Sequence, residues 1–177
     1  MSAQFAEVHR RKHLLAHVLV AAGARVWPGV VLGRSGETAT GFFADFGIPT
    51  DPNPDDLEKL TDEMARLIGA PNAFREEQLS AADAREKFLG QPWKLHQISV
   101  IGEFDRSVRC SNLNGVLDVC DCGLKAPQNV RELHPEKFLL TDFEPVSWDF
   151  RGKTHRFTRI SGELFPAVDA CECCRPD

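Results

Sequence analysis

One helical period runs from residue 4 to residue 25. It puts Phe5, Val8, Leu15, Val18, Leu19 and Ala22 on one face, and a helix of that length needs a second layer to bury that face. The next stretch, "WPGVVLGRSGETATGFFADFGIP", is rich in glycine and β-formers and reads as short strands joined by turns. "TDPNPDDLEKLTDEMARLIG" then reads as a second helix, opened by its Asp/Pro-rich start and stopped at Gly69. "SAADAREKFLG" reads as a third, with Ser80 as N-cap and Asp83 where a capping-box acid stands. Beyond Gly90 the pattern turns to strands: "WKLHQISVIG", "RSVRCSN", "GVLDVCD", "EKFLLTDFEPVSWDF" and "HRFTRISGELF". This order predicts an α+β fold, a mainly antiparallel curved sheet packed against a long N-terminal helix and two further helices. One domain covers 1–168, and "DACECCRPD" reads as a Cys-rich tail over 169–177.

The 177 residues suffice to close a core, and 42% hydrophobic with 27% charged residues is ordinary for a globular protein. Charges break every apolar run well short of the roughly 20 residues that span a bilayer. "MSAQFAEVHRRK" lacks a cleavage pattern, so the expected location is the cytoplasm, with no membrane partner. The six cysteines are then expected to be reduced, and they do not stand at zinc-ribbon spacing. A net charge of −5 argues against a broad, sequence-independent grip on nucleic acid. Two basic clusters, "HRRKH" at 9–13 and "RGKTHRFTR" at 151–159, leave room for a local contact.

Three groups of residues could carry chemistry. His13 and His17 stand four apart, close enough on a helix to share a metal, a water or a substrate, or simply to line its polar edge. In "GVLDVCDCGLKAP", Asp118 and Cys120 project from the same side of a strand, followed by Cys122 and Lys125; the plainer reading is a polar strand end with buried thiols. Lys94, read in a strand between Trp93 and Leu95, either faces outward or lies in a cleft where its ammonium could steady an oxyanion.

Taken in order, these segments resemble the editing domain of bacterial threonyl-tRNA synthetases, itself related to the alanyl-tRNA synthetase editing domain. "HLLAHVLVAAGARVWPG" matches the HxxxH helix, "GFFADF" the GFYYDF-like segment, and "DLEKLTDEMARLI" the acidic helix. "SAADAREKF" matches S-x-x-E-A-R-x-x-F, and "WKL" the Y-K strand. "LDVCDCGLKAP" matches D-x-C-R-G-P-H-V-P, "FRG" matches YWRG, and "FTRISGELF" matches L-x-R-I-Y-G-x-A-F. Each motif is weak alone; eight in order over nearly the whole chain are specific.

The resemblance implies a hydrolase that cuts the ester of a mischarged threonine tRNA, carrying serine or a non-protein threonine analogue. With no room for aminoacylation or anticodon-binding domains, it would act in trans on the acceptor end of an aminoacyl-tRNA, with neither DNA nor a membrane as partner. The implied catalytic residues are His13, Lys94 and Cys120; His17, Asp118, Cys122 and Lys125 would bind substrate. His13 would orient or deprotonate the water and Lys94 would hold the oxyanion. The chain departs from the family at Cys120-Asp121-Cys122-Gly123-Leu124-Lys125, with one residue inserted and lysine where the second histidine stands. No obligatory cofactor is therefore expected, with Zn2+ on His13, His17 and Cys120 as the open option. Two rival readings are a degenerate module that binds aminoacyl-tRNA or a synthetase without hydrolysis, and a zinc-dependent deacylase of the alanyl type.

Overall fold

A computed structural model describes residues 3–48, 52–70, 74–104, 107–120 and 137–165. The elements are α1 (Ala3–Val26), β1 (Val31–Glu37), β2 (Gly41–Gly47), α2 (Pro54–Gly69), β3 (Phe74–Ser80) and α3 (Ala81–Lys87). They continue with α4 (Pro92–Phe104), β4 (Ser107–Leu113), β5 (Val116–Val119), β6 (Phe138–Phe150) and β7 (Lys153–Leu164). Every strand pair is antiparallel, in a four-stranded sheet of order β1-β2-β7-β6 and a three-stranded sheet of order β3-β4-β5. The fold is α+β, as expected, with the antiparallel strands divided between two sheets.

α1 is buried along most of its second half because the four-stranded sheet and α2 cover it from different sides. Leu15, Val18, Leu19 and Ala22 meet Phe42, Ala44 and Phe46 of β2, Ile160 of β7, and Leu60, Met64 and Leu67 of α2, all in one core. Each large side chain buried this way contributes roughly 1.5–3 kcal/mol. The helix lies so close to β2 that a Cβ on Gly23 would stand 2.2 Å from the Phe46 ring. A second, smaller core joins Ala84, Phe88, Ile98, Val108, Cys110 and Val119, tying α3 and α4 to the three-stranded sheet.

Local signals placed the first helices well. The Asp56 carboxylate accepts the backbone N–H of Asn53 ahead of α2, and Ser80 Oγ accepts the Asp83 N–H at the start of α3. Two segments differ from expectation. "WKLHQISVIG" is helix α4 rather than a strand, a fourth helix where three were expected. A short apolar run fits either period, and its β-branched residues misled; Leu95, Ile98 and Ile101 share the face that packs on the second core. "FREEQLS", assigned to nothing, is β3, an edge strand whose charges face solvent.

Candidate active site

The seam between the two cores gathers side chains from five elements. α1 supplies His13 and His17, β1 supplies Ser35 and Glu37, α4 supplies Lys94, β4 supplies Ser111, and β5 with the residue after it supplies Asp118 and Cys120. Antiparallel register sets Ser111 directly opposite Asp118. A register shift between Leu32 and Ser35 sends Ser35 and Glu37 toward α1 while Arg34 turns to the other face of the sheet.

At its centre His13 Nε2 lies 3.1 Å from His17 Nε2 and 3.4 Å from Cys120 Sγ. The opposite nitrogen of each ring is backed by a carboxylate. His17 Nδ1 stands 3.3 Å from Asp118 Oδ2 and 3.0 Å from Ser111 Oγ, and His13 Nδ1 faces Glu37 Oε1 at 3.9 Å. Asp118, an acceptor only, calls for a proton on His17 Nδ1, which leaves His17 Nε2 a lone pair. With His17 neutral, a proton on His13 Nε2 or a cation shared by the two rings would satisfy the 3.1 Å contact between the two Nε2 atoms.

Asp118 is the hub. Its Oδ1 meets the Lys94 ammonium at 2.6 Å, its Oδ2 accepts from Ser35 Oγ at 3.2 Å, and both members of the ion pair are buried. Burial alone would raise the Asp118 carboxyl, but the Lys94 charge and the hydrogen bond from His17 outweigh it and hold it well below the usual carboxylate range. Glu37 goes the other way: burial raises its carboxyl, partly offset by His9 and His13. The second core holds a different thiol, Cys110, pushed up to about 11 by burial and by Asp118 and Glu77 nearby; it is not a thiolate at neutral pH.

Among the described residues, His13, His17 and Cys120 form a set that could hold a metal, with ligand atoms within 4.8 Å of one another. Tetrahedral zinc, with bonds of about 2.0–2.1 Å to nitrogen and 2.3 Å to sulfur, separates two nitrogens by about 3.3 Å and nitrogen from sulfur by about 3.6 Å. The observed 3.1 and 3.4 Å fit that geometry. The Asp118–His17 contact is the carboxylate support that metal-bound histidines have.

The structure thus brings His13, His17, Lys94, Asp118 and Cys120 together. Cys122 and Lys125 lie outside the described residues, as do the terminal cysteines. Sequence reasoning missed Ser35, Glu37 and Ser111. Of the basic cluster at 9–13, Lys12 donates to the Thr38 and Ala39 carbonyls and His9 meets Glu37, so this cluster packs on the β1–β2 turn.

The chain is similar to threonine–tRNA ligases from several bacteria. It is 31% identical over 158 residues to the threonine–tRNA ligase of Maridesulfovibrio salexigens, a match covering 88% of this chain and 24% of that one. The chain is a homologue of one segment of threonine–tRNA ligases. The ligase of Treponema pallidum is 28% identical over 162 residues, covering 90% of this chain and 26% of its own, and that of Gloeobacter violaceus is 26% identical over 168 residues, covering 94% and 26%. The homologue therefore spans about a quarter of the length of the curated ligases it matches. No protein-family model matches it. Among the described residues of this ligase homologue, no helix is long and apolar enough to cross a membrane.

Proposed function

We propose that this threonine–tRNA ligase homologue is an aminoacyl-tRNA deacylase, hydrolysing the ester of threonine tRNA mischarged with serine or a threonine analogue, in trans. The observation that carries the reading is the convergence of His13 Nε2, His17 Nε2 and Cys120 Sγ beside a buried Lys94–Asp118 ion pair. An aminoacyl ester is already activated, so a placed water, a base and an oxyanion donor suffice.

In this reading water attacks the ester carbonyl and its proton passes to the imidazole of His13. The imidazolium so formed faces the Glu37 carboxylate. Lys94 gives one of its three N–H donors to Asp118 and has others to offer the tetrahedral oxyanion. Collapse returns the proton to the departing ribose oxygen, giving free amino acid and intact tRNA. Asp118 has both oxygens engaged within the protein, so it acts by fixing His17 rather than by gripping the substrate ammonium. Cys120 and His17 would flank the substrate beside His13. The purpose follows from magnitudes: a synthetase separates amino acids differing by one methyl group by only about 1–3 kcal/mol, so serine leaks past a threonine site.

The mechanism requires no metal. The His13, His17 and Cys120 donors nevertheless fit zinc, which when bound would supply a Lewis acid at the reacting carbonyl or water. That fit is what favours the zinc-dependent, alanyl-type alternative. The test is deacylation of threonine tRNA charged with serine, threonine or a threonine analogue, by wild type and by His13→Ala, with metal content measured on the same samples. Release of one non-cognate amino acid, abolished in the variant, supports the hydrolase. Binding of the charged tRNA with no turnover by wild type would replace it with a binding module, and loss of activity on chelation would favour the zinc enzyme.

A further inference from the structure

The face of the four-stranded sheet turned away from α1 carries a cluster of rings and cations that the proposed chemistry leaves unused. The exposed Arg34 places its guanidinium 4.3 Å from the Trp148 ring and 5.7 Å from the Trp93 ring, the two indoles themselves 6.3 Å apart. Trp148 is locked in place, because its Nε1–H donates at 2.8 Å to Asp45, a buried carboxylate that also takes both arms of Arg159 at 2.7 and 3.0 Å. Beside them Phe150 stacks on His155 at 3.8 Å, and Trp93 meets Phe150 edge to face at 5.0 Å.

Two pairs of neighbouring residues join this cluster to the candidate active site. Ser35 hydrogen-bonds Asp118 while Arg34 lies over Trp148, and Lys94 pairs with Asp118 while Trp93 meets Arg34. Each pair sends one side chain into the site and the other into the ring cluster. The cluster is also basic where the chain as a whole is acidic: the stretch 148–159 holds Arg151, Lys153, His155, Arg156 and Arg159 against Asp149 alone. Of the large exposed apolar side chains among the described residues, only Val100 borders it, in a hollow shared with Trp93 and His96. Planar rings, a solvent-facing guanidinium and flanking cations suit a flexible anionic strand with planar bases better than they suit a protein surface.

We propose that Arg34, Trp93 and Trp148 form a stacking platform for unpaired nucleobases of single-stranded RNA, with the cations of the β6–β7 hairpin on its phosphates. The proposal rests on the deacylase reading for its choice of RNA. The experiment is fluorescence anisotropy of a labelled, uncharged RNA oligonucleotide ending in CCA, alone and annealed into a blunt duplex, with wild type, Arg34→Ala and Arg34→Lys. Arg34 is exposed, so both variants are expected to fold; Trp148→Phe keeps a ring in place as a second check. Stacking is worth about 1–3 kcal/mol per base, so each Arg34 variant is expected to bind the single strand roughly tenfold more weakly, and the wild type to prefer the single strand to the duplex. Arg34→Lys keeps the charge and loses the plane, so wild-type affinity in that variant overturns stacking. Equal affinity for duplex and single strand overturns it too, leaving a general electrostatic patch. RNA binding by a wild type that hydrolyses no ester would sink the deacylase reading and leave the platform standing. Hydrolysis with RNA binding indifferent to both variants would do the reverse.

Discussion

Replacing Lys94 with methionine would leave a carboxylate buried without its cation. Asp118 is 2% exposed and Lys94 is 1% exposed, so bulk solvent hydrates the carboxylate left behind only poorly. Removing one partner of such a pair typically costs about 3–5 kcal/mol, and most of that is the penalty on the charge left behind. For a chain of this size each kcal/mol moves the melting temperature by about 2–4 °C, so Lys94→Met should melt roughly 6–20 °C below wild type. The sign of the pH dependence sharpens the test. In the wild type Asp118 is held below its unfolded value, so its contribution is fully present above about pH 4 and is lost as pH falls toward the depressed folded value. Without Lys94 only His17 still opposes the effect of burial, so the carboxyl rises. Lys94→Met should therefore lose most stability at neutral pH and least in acid, and the deficit should shrink when Asp118→Asn is added. Urea titrations at pH 7 and pH 4 on the two single variants and the double would measure this. A Lys94→Met protein whose midpoint at pH 7 falls by no more than that of an ordinary surface substitution, or falls further at pH 4 than at pH 7, would refute the reasoning.

Two further outcomes follow from distances within the protein. Glu37→Gln should lower the turnover number of the proposed deacylation with little change in KM, because at 3.9 Å even full water screening leaves about 1 kcal/mol of support for a charged His13; roughly sixfold is the least expected, and unchanged turnover would remove Glu37 from the chemistry. Gly23→Ala should destabilise the fold by about 1–3 kcal/mol through overpacking against the fully buried Phe46, and a circular-dichroism melt equal to wild type would show that α1 and β2 can separate at no cost.

Much of this arrangement was legible in the chain because local spacing encodes it. His13 and His17 share a face by helical period, Asp118 and Cys120 by strand period, and the Asp/Pro-rich start of α2 and the cap at Ser80 announce their helices. Lys94 was the right residue in the wrong element, since a ten-residue apolar run carries no period strong enough to separate helix from strand. The remaining members of the site depend on pairing, which spacing cannot supply. Ser111 belongs to it only because β4 pairs with β5 in a register that sets it across from Asp118, and Ser35 and Glu37 only because the strand shifts register after Leu32. Serines and a glutamate in strands carry no signal of their own. β3 escaped notice for a related reason: four of its seven residues are charged or amide side chains, Arg75, Glu76, Glu77 and Gln78, and only its place at a sheet edge accommodates them.

His13 touches Cys120 across 107 positions of sequence. Contacts of that span are closed late, because the intervening chain must be ordered before they form. In a refolding experiment the helical signal of α1 can return early, while the meeting of Nε2 and Sγ waits for both sheets. The proposed chemistry would then become available only once distant parts of the chain have met, and not when α1 first forms.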